Sequence, residues 1–311
     1  MTARVRLAIR VVVIAAVGVA LAWFVRAMDL RRLGQELASA RVELIAVAVA
    51  LTFACRTGKA VAWRVLLAPR HVVAMRRLVR YEIVSVAASA LTPARAGEVL
   101  RVWLLRRRDG VPAADSVATI AIHKLLDGVA MVLFALPLSW LIPGLPPWVG
   151  RALVVFASVV LGALGGLAIV ARRRATGDAA PPTTLRGRVL AGMRALRDPR
   201  RLAWALLALL AVWAADLTAV TAVLRAVDLQ LPLAAGLLIL FTLNLAILVP
   251  STPAQVGTLE VGALAALELL HVDPAAALAF ALLYHAGQVI PTLIAGLILE
   301  LRLVTGRERT D

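Results

Sequence analysis

Residues 81–98 read YEIVSVAASALTPARAGE. The apolar part, 81–94, has Arg70, Arg76, Arg77 and Arg80 before it and Arg95, Arg101 and Arg106 after it. One bilayer crossing needs about 20 apolar residues, so this piece is too short to cross twice. Arginines on both flanks keep both of its ends on the cytoplasmic face. The segment is therefore predicted to dip into the membrane and return. Such backbone is tolerated only where protein shields it or where it lines a wet cavity. Its tip, TPARAGE (92–98), has a counterpart in TPAQVG (252–257), which is followed by Glu260. Two Thr-Pro-Ala-x-x-Gly tips, each trailed by an acid, imply two related hairpins.

The rest of the chain supplies a membrane setting for them. Of 311 residues, 62% are hydrophobic and the mean hydropathy is +0.90, with the apolar residues gathered in long blocks. That excludes a soluble globular class. The net charge of +16 comes almost wholly from arginine between the blocks, where topology and anionic headgroups explain it better than nucleic acid does. One cysteine, Cys55, and four scattered histidines give no disulfide, no thiolate cluster and no HExxH spacing, so no metal or other cofactor is expected. Arg4, Arg6 and Arg10 before an apolar stretch could pass for a secretory signal, but a retained first span over 7–25 is the favoured reading.

Orientation follows from the loop 172–201, which holds nine arginines against Asp178 and Asp198 and is assigned to the cytoplasm. Walking outward from it gives full spans near 7–25, 42–67, 117–140, 150–171, 203–224 and 275–300, with both termini cytoplasmic. The expected fold is an all-α polytopic membrane protein of about six full spans plus two re-entrant helical hairpins, eight to nine hydrophobic segments in all. It forms one domain over 1–311. Two pseudo-repeat halves, about 42–140 and 203–300, are joined by the span at 150–171 and the basic loop at 172–201. Each half is a span, a hairpin carrying the Thr-Pro-Ala tip, and a second span. Opposite orientations would make them an inverted repeat, a transporter device. For the second tip, charge alone leaves a hairpin and two crossings open.

Thr followed by Pro reads as a helix N-cap and first helical residue, so Thr92 and Thr252 are expected to start helices whose amide ends bind anions. Gln255, three residues after Thr252, has capping-box spacing, while Gly97 and Gly257 permit close backbone approach. Arg95, Glu98 and Arg101 share a helical face, as an arginine fork for phosphate or carboxylate or as a boundary ion pair. Asp127 could pair with Lys124, three residues away. Asp216, about mid-span, needs a partner, a wet path or a proton. Glu260 and Glu268 share a broad face, and His285 and Gln288 could face one cavity, although packing is the simpler role for His285. Asn244 reads as helix–helix glue, and 26–41 as an amphipathic helix at the interface. Gly162 and Gly166 form GxxxG, which suits close approach within the fold or in a homo-oligomer.

LTPARAGEVLRVWLLRRRDG, HKLLDG, VPSTPAQVGTLE and YHAGQVIP together resemble the lysylphosphatidylglycerol synthase transmembrane-region family, the flippase-like domain. The resemblance covers nearly the whole chain. Its most specific parts are P-x-R-x-G-E-x-x-R (Pro93 to Arg101) and P-x-x-P-x-x-x-G-x-x-E (Pro250 to Glu260). It implies a bacterial inner-membrane protein related to the part of aminoacyl-lipid synthases that moves lipid between leaflets. Arg95, Glu98, Arg101, Asp127 and Glu260 match family positions. Ala254 and Gln255 depart from a glycine-rich pattern, and His285 stands where arginine is common. With no soluble synthetase domain after residue 311, the chain is expected to move a lipid made by a separate enzyme. The leading expectation is a lipid translocase, not an enzyme, with Arg95 and Arg101 on lipid phosphate. Glu98, Asp216 and Glu260 would contact a cationic headgroup or carry protons. A transporter of a small polar solute or ion, and an intramembrane enzyme on a lipid-linked substrate, are the alternatives. No Walker A motif is present, so an ion gradient or downhill exchange would drive movement.

Overall fold

The computed structural model describes residues 30–68, 70–92, 97–173, 196, 198–248 and 253–304. Among them the secondary structure is helical, with no strand. In chain order the helices are α1 (Leu30–Ser39), α2 (Val42–Leu67), α3 (Met75–Leu91), α4 (Gly97–Asp109), α5 (Ala113–Ala135) and α6 (Leu138–Leu141). There follow α7 (Pro147–Arg173), α8 (Pro199–Ala226), α9 (Leu233–Ala246), α10 (Thr258–Leu269) and α11 (Pro274–Val304). The protein is a polytopic all-α membrane protein.

Five stretches among the described residues are long and apolar enough to cross a bilayer: Val42–Leu67, Ala113–Leu141, Pro147–Val170, Pro199–Ala226 and Pro274–Leu299. They fall on the five predicted spans from 42–67 onward. The sixth, expected at 7–25, lies outside the described residues, as does most of the basic loop. Both Thr-Pro-Ala segments sit between pairs of short helices. α3 and α4 have 17 and 13 residues, and α9 and α10 have 14 and 12. At 1.5 Å per residue the last two measure about 21 and 18 Å, well short of a hydrocarbon core about 30 Å thick. Each is too short for a full crossing, and the two pack against each other, as a helical hairpin requires. The order long, short, short, long thus recurs in α2–α5 and α8–α11.

Three long helices begin in one way. α7, α8 and α11 each open on proline, whose missing N–H costs nothing at a first helical position. Asp198 caps α8: its carboxylate accepts the backbone N–H of Arg200 and Arg201 and the Arg201 Nε–H at 2.6 Å. The Arg201 hydrogen bonds hold that carboxyl below the usual aspartate range. Asp273 caps α11 through Ala275 and Ala276.

The chain forms two compact units, each discontinuous in sequence: 1–53, 84–98 and 216–311, and 54–83 with 99–215. In the first unit α9, α10 and α11 pack in succession around Leu238, Phe241, Leu267 and Phe280, with the amphipathic α1 on α11. Lipid tails are as apolar as leucine, so such packing depends on close fit. Gly262 supplies it, because a Cβ there would lie 2.9 Å from Leu243 Cα and 3.0 Å from the Thr242 carbonyl oxygen. In the second unit α5 packs on α7, with Gly128 against Val160, and Trp63, Leu67, Leu78, Leu105 and Ile122 are buried. Among the described residues a Cβ at Gly162, Gly165 or Gly166 would meet nothing within 4 Å, so the GxxxG element serves no close approach there.

The helix starts correct one expectation. Thr92 does not cap α4; its hydroxyl donates back to the Ala88 carbonyl at 2.6 Å and so belongs to the end of α3. α4 begins at Gly97 and α10 at Thr258, so both starts lie at or just after the motif glycine. Thr252 and Arg95 lie outside the described residues. Gly97 is there for steric reasons: a Cβ would sit 1.7 Å from the Ser85 carbonyl oxygen and 2.4 Å from Ser89 Oγ. Gly97→Ala is expected to cost about 3 kcal/mol or more of stability. Gly162→Ala, in open space, should change it by less than about 1 kcal/mol. Thermal unfolding of the two variants in detergent checks this contrast.

Candidate functional site

The second unit holds a partly buried charge network that begins on one face of α2. Lys59 Nζ donates to Asp127 Oδ2 at 2.9 Å, and Trp213 Nε1 donates to Asp127 Oδ1 at 3.0 Å. Asp127 thereby holds two elements 68 and 86 residues away in sequence. The close ion pair of Asp127 comes from Lys59 across the fold, where the spacing had suggested Lys124 along the helix. His123, one turn earlier on α5, places Nε2 3.2 Å from the Lys59 carbonyl oxygen. Trp63, on the next turn of α2, is fully buried and donates Nε1–H to Thr119 Oγ1.

Arg101 belongs to the same network. Its guanidinium hydrogen-bonds Glu82, both side chains being almost wholly enclosed, and its Cζ lies 4.8 Å above the Trp63 ring. A desolvated guanidinium gains from both contacts. Arg101 is thus committed to an internal carboxylate, while Glu98, in the first turn of α4, is half-buried. An isolated charge at a span centre costs about 2.5–3.5 kcal/mol on insertion scales, so charge pairing is what lets these groups stand in apolar surroundings. Lys59, Glu82, His123 and Trp63 were not singled out from sequence. A signal for two of them existed: in LTFACRTGKAVAW (51–63) basic residues interrupt an apolar run at helical spacing.

The first unit holds the second tip. Pro253–Gln255 makes a single 3-10 turn in which Ala254 and Gln255 take φ of 55° and 65°. Side chains rarely tolerate this left-handed conformation, so surrounding contacts must enforce it. His285 does so from α11: Nε2 lies 2.8 Å from the Ala254 carbonyl oxygen and Nδ1 2.6 Å from Glu260 Oε1. Glu260 Oε2 in turn accepts the Gly257 N–H at 2.7 Å, at the start of α10 where Gly257 has φ 87°. The Gln255 backbone carbonyl accepts the Thr258 hydroxyl, and at the start of α10 Glu260 holds the capping-box position opposite Gly257. The box expected between Thr252 and Gln255 involves Thr252, which lies outside the described residues. Since Ala254 O can only accept, His285 Nε2 carries a proton, and one more is shared between Nδ1 and Glu260. Packing and tip geometry are therefore one role for His285.

Asp216 lies apart from that lock in the same unit. Its Oδ1 accepts the Tyr284 hydroxyl at 2.8 Å and Gln288 Nε2 at 3.4 Å. Tyr284 and Gln288, four apart on α11, also line a narrow cleft with Ile45, Thr52 and Val223. Gln288 thus faces Asp216, whereas His285 faces Glu260. Asn244 donates to its own helix at the Leu240 carbonyl. Among the described residues no group of three or more His, Cys, Asp or Glu side chains is placed to hold a metal.

Two outcomes follow from these geometries. Lys59→Met or Asp127→Leu alone leaves a largely desolvated charge and should cost about 2–4 kcal/mol, discounted for partial exposure. The double variant should recover most of that loss, and a double-mutant cycle on thermal unfolding measures the coupling. At the tip, His285→Gln should retain part of the lock and His285→Leu none, with Leu losing about 2–3 kcal/mol. Unfolding midpoints should rank wild type, Gln, Leu.

Comparison with curated proteins and with solved structures returned no match. The sequence model of the family described as lysylphosphatidylglycerol synthase TM region matches residues 7–296, which takes in both Thr-Pro-Ala tips, the Lys59–Asp127 network and His285. The chain is a member of that membrane family.

Proposed function

We propose that the protein is a translocase that moves a phospholipid between the leaflets of a bacterial inner membrane, with both termini in the cytoplasm. The observation that carries this reading is the charge network of the part-buried Lys59–Asp127 pair and the enclosed Arg101–Glu82 pair within membrane-length helices and a short hairpin. Ionisable groups kept at membrane depth serve substrate or ion paths by default, because packing alone would be cheaper with apolar side chains. Membership of a lipid-related membrane family supports a lipid as the cargo. The recurrence of long, short, short, long helices supports an inverted repeat with alternating access around the tips. In this mechanism the headgroup passes through the polar interior while the acyl chains remain in the bilayer.

A solute or ion carrier is the second reading, favoured by one feature: Asp216 faces Tyr284 and Gln288 beside a cleft. Ion-coupled uptake abolished by Asp216→Asn, with no lipid movement, would select it.

Reconstitution decides the first reading. In vesicles carrying tail-labelled phosphatidylglycerol, wild-type protein should make the inner-leaflet label accessible to an external quencher at least about tenfold faster than empty vesicles. The Lys59→Met/Asp127→Leu double variant, which keeps its packing, should lose that acceleration. Equal rates with and without wild-type protein, across anionic, zwitterionic and aminoacylated lipids, would overturn the proposal.

A further inference from the structure

The network of the second unit contains one cation more than its named carboxylates balance. Arg56 stands three residues before Lys59 and seven before Trp63, on the same face of α2. It lies within electrostatic reach of Lys59 and Glu82. Lys59 is paired with Asp127, and Arg101 with Glu82. Arg56 Nε is enclosed and has no hydrogen-bond partner among the described residues. The residue as a whole is half-buried, so the guanidinium reaches from the interior to accessible space. It also stands near the middle of a 26-residue helix long and apolar enough to cross a membrane.

A guanidinium in that position needs an anion. A buried donor left unmade is costly, and a second cation three residues away raises the cost. Glu82 and Asp127 already serve Arg101 and Lys59. Guanidinium matches the geometry of a phosphate, offering parallel N–H donors to two oxygens.

We infer that Arg56 is a binding residue for an anionic phosphate, the phosphodiester of a lipid headgroup, which completes the charge balance of the Lys59–Asp127 and Arg101–Glu82 network when it enters. Binding energy would then come from an interaction missing in the empty protein. Lys59 would add electrostatic attraction without leaving Asp127. The inference rests on the translocase reading for the identity of the cargo, but the phosphate site stands on the unmet Arg56 donor.

The test uses the full chain in a neutral detergent, with thermal unfolding as the readout. Dioctanoylphosphatidylglycerol, dioctanoylglycerol and inorganic phosphate are the three probes. Wild-type protein should be stabilised by the phosphatidylglycerol and not by the diacylglycerol. Stabilisation by inorganic phosphate as strong as by the lipid would keep the site and identify free phosphate as its ligand. Arg56→Met should weaken the response at least about tenfold in apparent affinity. Its own unfolding midpoint without ligand should match or exceed that of wild type, since an enclosed donor without a hydrogen-bond partner has been removed. A merely structural arginine would instead lower it. Arg56→Lys, which keeps the charge, should fold and bind with intermediate affinity. No response of wild type to either phosphate probe, or an undiminished response in both variants, would overturn the inference. Scrambling by wild type with unchanged binding in the variants removes the Arg56 site and leaves the translocase. Arg56-dependent binding without scrambling in any vesicle removes the translocase and leaves the site.

Discussion

Charge pairing in an apolar setting is the constraint on which the second unit depends. Lys59, near the middle of α2, can be there because Asp127 of α5 meets it, and Asp127 can be there because Lys59 and Trp213 both donate to it. The same argument applies to Arg101 and Glu82, with Trp63 beneath the guanidinium. Each pair joins elements distant in sequence, so charge satisfaction also fixes which helices lie side by side. Packing alone would not require such groups, because well-packed apolar residues of similar volume are often as stable or more so. Their presence accords with the proposed passage of a charged headgroup beside them.

The tips rely on a different device. At the second tip a left-handed turn at Ala254 and Gln255 is held by a buried imidazole that bridges a backbone carbonyl and the carboxylate at the start of α10. The α10 start is thus already occupied by an internal acid, Glu260, whose Oε2 accepts the Gly257 N–H. At the first tip the requirement is steric, since Gly97 lets the backbone pass against Ser85 and Ser89. One motif spelling, Thr-Pro-Ala-x-x-Gly, serves both hairpins, but its glycines act for distinct reasons: close approach at 97 and a positive φ at 257.

Much of this was legible in the sequence where the signal was local. Span positions followed from apolar block length, and the first hairpin followed from a block too short to cross twice between arginine-rich flanks, whereas charge left the second open. A cap at Thr92 was expected because Thr-Pro suggests one, whereas the Thr92 hydroxyl bonds backward into α3. The charge network was only half visible. Asp127, Arg101 and Glu260 stand in recognisable motifs, but their partners Lys59, Glu82 and His285 are 68, 19 and 25 residues away. Pairing over such distances is decided by tertiary packing, which periodicity does not report. Arg56 gives a weak signal in sequence, because a single arginine inside a hydrophobic run looks like an exception to a span, although its spacing to Lys59 puts the two on one face of the helix.

Under the proposal, a lipid phosphate would stand inside the protein, against the charge network and away from both membrane surfaces. The most direct measurement is a cryo-electron microscopy map of the full chain in nanodiscs of phosphatidylglycerol. The account predicts headgroup density within hydrogen-bonding distance of the Arg56 guanidinium, beside an intact Lys59–Asp127 pair. A map with that network clearly defined, yet with lipid headgroups only at the two membrane surfaces, would contradict it.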